Sequence, residues 1–142
     1  MPEVSFYILP SQTEQGRLHF ACKLAEKAYR SGQFCYILTE DEKQSKTLDD
    51  LLWTFRAGSF VPHQIYTGSA MATADRVLIG ARTAPEQWQK IIINLSADCP
   101  ENFNACERLL EILDNDETIK AEGRKRYKRY QHAKLQIATH QM

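Results

Sequence analysis

Short hydrophobic runs and longer amphipathic stretches follow one another along the chain. Five of the hydrophobic runs have the length and the aromatic or β-branched content of buried strands: residues 5–9, 34–38, 65–66, 76–79 and 91–95. Turn residues such as Pro10 and Ser11 bound them. Runs that are apolar at nearly every position are typical of parallel strands covered on both faces, so this pattern predicts a buried sheet.

The stretches between these runs show helical periodicity. From Thr13 to Arg30 the apolar residues recur at spacings of three and four, which is the stripe of an amphipathic helix. Further helical segments are predicted from the capping and acidic residues 39–42 through Phe55, around 85–89, around 104–113, and from about 118 to 133. Alternating strands and helices predict an α/β fold with a largely parallel sheet and helices on both faces. No repeat or linker interrupts the 142 residues, so we expect one domain over residues 1–142.

The composition is that of an ordinary globular protein, 43% hydrophobic and 25% charged. No apolar run approaches the roughly 20 residues needed to cross a bilayer, and the first residues lack the pattern of a signal peptide. We therefore expect a cytoplasmic protein with no membrane partner. No C-x-x-C pair is present, and we interpret the four cysteines as reduced, mostly buried thiols: Cys22, Cys35, Cys99 and Cys106.

Several kinds of enzyme site are missing from the sequence. The closest two glycines, Gly58 and Gly68, are ten positions apart, which excludes both the P-loop and the dinucleotide-binding glycine motif. No serine lies in a G-x-S-x-G turn, and no histidine is related by spacing to a nucleophile. The acids of residues 40–42 and 49–50 suit a helix start and a solvated face better than a magnesium site. We predict no catalytic residues, no metal and no cofactor.

The charge is unevenly distributed although the net charge is zero. Residues 120–134 contain seven basic residues and one acid, a local charge of +6, so the rest of the chain carries −6. On a helix, one stripe about 100° wide holds Lys120, Arg124, Tyr127, Lys128 and Gln131. Such a stripe can hold a carboxylate at an arginine and an apolar side chain against the tyrosine.

Two other interpretations of this stripe remain open. Charge runs usually form solvated faces, with the tyrosine partly in the core. Basic residues around an aromatic ring also suit single-stranded DNA.

A second segment, residues 51–63, is rich in large aromatic side chains, including Trp53 and Phe60. It is either core or an anchor surface for another protein, and the periodicity does not decide between the two.

Four segments together resemble the chi subunit of DNA polymerase III: residues 4–9, 40–44, 52–63 and 126–130. The likeness spans nearly the full chain in the same order. It implies a Rossmann-like fold without a nucleotide site or catalytic activity. Members of this family pair with the psi subunit, which tethers them to the clamp loader. They also bind the acidic C-terminal tail of single-stranded DNA-binding protein, which ends in an apolar residue with a free carboxylate.

By position, the resemblance implies that the tail is bound by Lys120, Arg124, Tyr127 and Lys128. Arg124 is then the carboxylate partner and Tyr127 part of the apolar wall. Trp53 and Phe60 resemble the residues that face psi, a surface that some relatives also use for a helicase-like repair protein. Residues 64–85 match no family pattern, and Leu113 is a candidate neighbour of the tail site.

Three functional hypotheses follow. The first is a non-catalytic adaptor of the replication machinery that contacts DNA only indirectly, by joining the clamp loader to single-stranded DNA-binding protein. The second is a direct single-stranded DNA binder that uses the basic C-terminal helix. The third is a degenerate nucleotide-dependent enzyme.

Overall fold

The computed structural model describes residues 2–54, 61–68 and 76–142. The strands are β1 Glu3–Ile8, β2 Cys35–Leu38, β3 His63–Ile65, β4 Val77–Gly80, β5 Ile91–Asn94, β6 Arg108–Leu113 and β7 Gln136–Gln141. The helices are α1 Glu14–Arg30, α2 Glu42–Thr54 and α3 Glu117–His132, with short 3-10 helices at Glu86–Trp88 and Phe103–Ala105. All five predicted strands are confirmed.

The described strands form one sheet in the order β3-β4-β2-β5-β6-β1-β7, and every neighbouring pair is parallel. The predicted α/β class with a parallel sheet is confirmed, and the arrangement is consistent with a Rossmann-like three-layer fold. Because β1 lies between β6 and β7, the connection from β6 to β7 carries α3 across β1. This crossover decides which side chains lie beneath α3.

The two faces of the sheet have separate cores. On one face α1 and α2 pack through residues such as Leu18, Cys22 and Leu48 against the strands. On the other face the core beneath α3 contains Phe6 and Tyr130. Near the other end of the sheet, a further buried cluster packs around Trp88. Helices therefore cover both faces, as the sequence predicts.

The predicted helix at 104–113 is wrong. A single 3-10 turn, Phe103–Ala105, leads into β6, which pairs with β1 and β5. Nearly every side chain of β6 is buried, and Glu111 is among them. A run buried on both faces has no period that separates a strand from a helix, so the pattern alone did not distinguish the two. β7 also had no sequence signal, since its six residues are mostly exposed and polar.

Hydrogen bonds and one ion pair fix the helix starts. The hydroxyl of Thr13 accepts from the backbone N–H of Gly16 at 3.1 Å, and the carboxylate of Asp41 accepts from that of Gln44 at 2.8 Å. In the first turn of α1, Arg17 Nε lies 3.1 Å from Asp114 Oδ2, and both side chains are buried. This pair joins α1 to the loop that follows β6.

Candidate functional site

Helix α3 begins at a well-formed cap and lies close to the sheet. The carboxylate of Asp116 accepts hydrogen bonds from the backbone N–H groups of Thr118 and Ile119, both at 3.1 Å. In the middle of the helix, a Cβ atom on Gly123 would lie only 2.5 Å from Leu113 Cδ1. The glycine therefore allows α3 to approach the end of β6 more closely than any other residue would.

The basic run divides between the inner and outer faces of α3. Arg126 points inward and is only 5% exposed. Its Nε donates to Glu111 Oε1 at 3.0 Å, and a terminal nitrogen donates to the carbonyl of Ala97 at 2.8 Å. Tyr130 and Asn94 donate to the other oxygen of the Glu111 carboxylate. A buried charge satisfied in this way is structural. The other cations of this part of the helix are exposed: Arg124, Lys125, Lys128 and Arg129.

Burial raises the pKa of the Glu111 carboxyl above its ordinary value, and the neighbouring Arg126 charge opposes that rise. Burial, together with the Glu111 charge, raises the pKa of the Tyr130 hydroxyl, which therefore stays protonated and donates. Arg126, Glu111, Tyr130 and Asn94 thus form a buried network of hydrogen bonds beneath the helix.

A groove of about 420 Å³ runs along the side of α3 that faces β7. Its floor comes from the sheet and its wall from the helix, and the lining residues are Phe6, Ile8, Leu113, Gly123, Arg124, Tyr127, Lys128, Gln131 and Thr139. The ring of Tyr127 packs on that of Phe6 with centroids 5.4 Å apart. The groove thus has an apolar floor and cations at its rim.

Three of the four residues predicted for the tail site line this groove: Arg124, Tyr127 and Lys128. The fourth, Lys120, lies one turn nearer the start of α3, where its Nζ is 3.2 Å from Asn115 Oδ1 and 3.5 Å from Glu117 Oε1. No acidic side chain is among the described residues that line the groove. The arrangement can hold an anion at the guanidinium while an apolar group lies on Tyr127 and Phe6.

Sequence reasoning missed most of the floor. Phe6, Ile8 and Thr139 come from β1 and β7, far from α3 along the chain. The register places Thr139 opposite Phe6, so the two side chains share the face beneath α3. Leu113, a candidate neighbour in the sequence, does line the groove. A correct prediction of β7 and of its pairing with β1 would have revealed the other three residues.

Trp53 lies in the last turn of α2 and is 57% exposed. Its ring packs edge-on against the imidazole of His63, with centroids 5.1 Å apart. His63 is buried, and its ring nitrogens face the carbonyl of Val61 at 2.7 Å and Asp49 Oδ1 at 3.0 Å. The sequence left two interpretations of this segment, core and anchor surface. The exposure of Trp53 favours the anchor surface. Phe60 lies outside the described residues.

The remaining chemistry of the described residues is modest. Cys22, Cys35 and Cys106 are buried and Cys99 is half-buried, all as free thiols, as predicted. Within the described ranges, no group of three or more His, Cys, Asp or Glu side chains could hold a metal ion. No helix in that part of the chain is long and apolar enough to cross a membrane. A crevice of about 210 Å³ lies at the carboxyl ends of β2, β4 and β5 and has a mixed polar lining.

Comparison with known proteins gives one consistent result. The family model described as DNA polymerase III chi subunit, HolC, matches residues 1–138. The chain is similar to the DNA polymerase III subunit chi of Pseudomonas aeruginosa, with 32% identity over 142 residues that cover 100% of this chain and 98% of that protein. The protein of the same name from Escherichia coli is 28% identical over 143 residues, covering 98% of this chain and 97% of that protein. The chain therefore belongs to the DNA polymerase III chi subunit family, a component of the replication machinery.

Proposed function

We propose that the protein is a non-catalytic adaptor of the cytoplasmic replication machinery. In this proposal it joins the clamp loader, through the psi subunit, to the acidic C-terminal tail of single-stranded DNA-binding protein. The observation that carries the proposal is the groove beside α3, in which Arg124 and Lys128 stand at the rim of an apolar floor. A peptide that ends in an apolar residue with a free carboxylate has the complementary chemistry.

The groove suits a chain terminus better than a nucleic acid strand. Single-stranded DNA is usually held by several aromatic rings, on which successive bases stack along a cationic path. Only Tyr127 and Phe6 provide rings among the described residues of this groove, and each packs against the other. One apolar side chain fills such a space, and its carboxylate reaches Arg124 through charge-assisted hydrogen bonds.

The proposed psi surface is on the other side of the sheet. Trp53 belongs to α2, which packs with α1 on the face opposite α3. A large aromatic side chain that is held in place by a buried partner and still exposed is the usual anchor of a protein interface. Two surfaces on opposite faces allow both partners to bind at once.

Simultaneous binding would make a weak tail contact effective. The clamp loader, tethered through psi, would raise the local concentration of the groove near single-stranded DNA-binding protein. An adaptor of this kind requires no chemistry of its own, and we propose that the protein has none.

The test is a titration of the full chain with a fluorescent, aspartate-rich peptide that ends in phenylalanine, at low and at high salt. We expect saturable binding that salt weakens and that disappears when the terminal residue is removed. Arg124→Ala should weaken binding roughly 10- to 100-fold, the range for a hydrogen bond to a charged group. The matched control is Lys125→Ala, which removes an exposed cation of α3 that does not line the groove.

Equal losses in Arg124→Ala and Lys125→Ala would contradict a specific groove and indicate only diffuse attraction. Absence of peptide binding, together with DNA binding that grows with oligonucleotide length, would favour the direct single-stranded DNA binder instead. Magnesium-dependent nucleotide turnover would favour the degenerate enzyme.

A further inference from the structure

The edge of the sheet beside the groove is an open strand. β7 is the last strand of the sheet, and its only neighbour among the described residues is β1. The backbone N–H of Met142 donates to the carbonyl of Ile8 at 3.0 Å. Because N–H and C=O groups alternate in direction along a strand, those of Ile137, Thr139 and Gln141 point away from β1.

This edge lacks the features that usually protect one. Natural proteins shorten their edge strands or place lysine and proline on them. The opposite edge, β3, has only three residues, whereas β7 has six, with no lysine, no proline and no acid. Its side chains are mostly exposed. An edge of this length and composition can pair with an added strand.

The edge is continuous with the groove. The side chain of Thr139 lines the groove, while its backbone groups belong to the open edge. Gln141 lies opposite Ile8, another lining residue. A peptide whose last residue occupies the groove can therefore leave it across β7.

We propose that the residues just before the terminal residue of the acidic tail pair with the outer edge of β7 as an eighth strand of the sheet. This inference rests on the proposed function of the groove. Charge supports an acidic occupant, since Arg124 and Lys128 line the groove and exposed Lys134 lies in the turn that leads into β7. Main-chain hydrogen bonds would supply affinity that is independent of the tail's side chains.

Charge also argues against a second copy of this chain as the occupant. Two β7 strands paired antiparallel around a twofold axis would put both α3 helices on the same face of one continuous sheet. The rims carrying Arg124 and Lys128 would then face each other, and like charges would oppose the pairing.

The experiment is an N-methyl scan of a ten-residue aspartate-rich peptide that ends in phenylalanine, titrated against the full chain. Strand pairing uses every second peptide N–H, so methylation should weaken binding about threefold or more at alternate positions and little at the positions between. In the protein, Gln141→Pro removes one outward N–H, and we expect a loss of roughly three- to tenfold for the ten-residue peptide. The comparison variant Gln141→Ala keeps that N–H and isolates the contribution of the side chain.

A tripeptide with the same terminal residue separates this inference from the proposed function. If Gln141→Pro weakens only the longer peptide, the added strand is supported. If the tripeptide and the longer peptide bind equally and methylation has no alternating effect, the strand is refuted while the groove stands. If neither peptide binds, the proposed function itself fails. Dimerisation of the unliganded protein that Gln141→Pro abolishes would assign the edge to a second copy and refute the inference.

Discussion

Arg126 on α3 donates to Glu111 on β6 across 3.0 Å, and both side chains are buried. This ion pair stands in the middle of the most basic stretch of the chain. It separates the cations of that stretch into one that holds the helix on the sheet and others that face solvent or the groove. The basic run is therefore neither wholly a solvated face nor wholly a binding surface.

The first prediction concerns the stability of this ion pair. Arg126→Ala leaves the Glu111 carboxylate buried without its cation, and breaking a buried pair in this way typically costs about 3–5 kcal/mol. We expect a loss of that size in the free energy of unfolding, measured by urea denaturation. Lys125→Ala, at the neighbouring exposed position, should change it by less than about 0.5 kcal/mol. Similar small effects for both variants would mean that the pair contributes little.

A second prediction concerns the close approach of α3 to β6. Gly123→Ala would force its Cβ against the side chain of Leu113, a clash that we expect to cost about 1–3 kcal/mol of unfolding free energy. The higher helix propensity of alanine offsets up to about 1 kcal/mol of this cost. The substitution should also weaken tail-peptide binding, because both residues line the groove. Thermal or urea unfolding gives the first quantity and the peptide titration the second.

The double variant Gly123→Ala/Leu113→Ala provides the control for this prediction. Truncating Leu113 alone leaves a cavity, but the added methyl group of the alanine partly fills it, so the two costs should not add. Additive losses would show that Gly123→Ala acts through something other than contact with Leu113, and helix propensity could not be that cause, because alanine has the higher helix propensity of the two residues.

The fold could be predicted from the sequence wherever a local signal matched the final environment. β1, β2 and β5 are apolar runs of strand length, and α1 shows a clear amphipathic stripe, so all four were predicted correctly. The sequence predicts a helix where β6 lies, and the buried acid of that strand, Glu111, is satisfied by Arg126, 15 residues away. The partner of a buried charge depends on the tertiary structure, so a short stretch of sequence does not reveal it.

The residues of the candidate site could likewise be predicted only in part. Arg124, Tyr127 and Lys128 share one helix face, so their spacing was enough to bring them together. The floor that makes them a groove, Phe6 and Thr139 above all, depends on the pairing of β1 with β7. That pairing joins residues from opposite ends of the chain, and the polar, exposed sequence of β7 contains no pattern that predicts it.

A third prediction concerns stability at high pH. Burial raises the pKa of the Cys35 thiol from 9.0 to about 12. The unfolded chain therefore releases this proton near pH 9, while the folded protein keeps it to about pH 12. The contribution of the protonated thiol to the free energy of unfolding is fully present below pH 9. It is lost as the pH rises from about 9 to about 12, at about 1.4 kcal/mol per pH unit.

Urea unfolding of Cys35→Ala across this range should show a shallower fall of stability with pH than the parent protein. Leu48→Ala is the control, because it also truncates a fully buried side chain but removes no titrating group. Its pH dependence should match that of the parent, although its stability at pH 8 is lower. Equal slopes in all three proteins would contradict the raised pKa.

The last prediction separates the two proposed surfaces. Trp53 is 57% exposed, so Trp53→Ala should cost little stability, about 1 kcal/mol or less, chiefly through its contact with His63. We expect it to reduce psi binding at least tenfold, the typical effect of truncating an aromatic anchor, and to leave tail-peptide binding unchanged. Tyr127→Ala should do the reverse. Calorimetric titration of each variant with psi and with the tail peptide gives all four affinities. Because α2 and α3 lie on opposite faces of the sheet, the effects should be independent, and damage to both interactions by either variant would refute the two-surface adaptor.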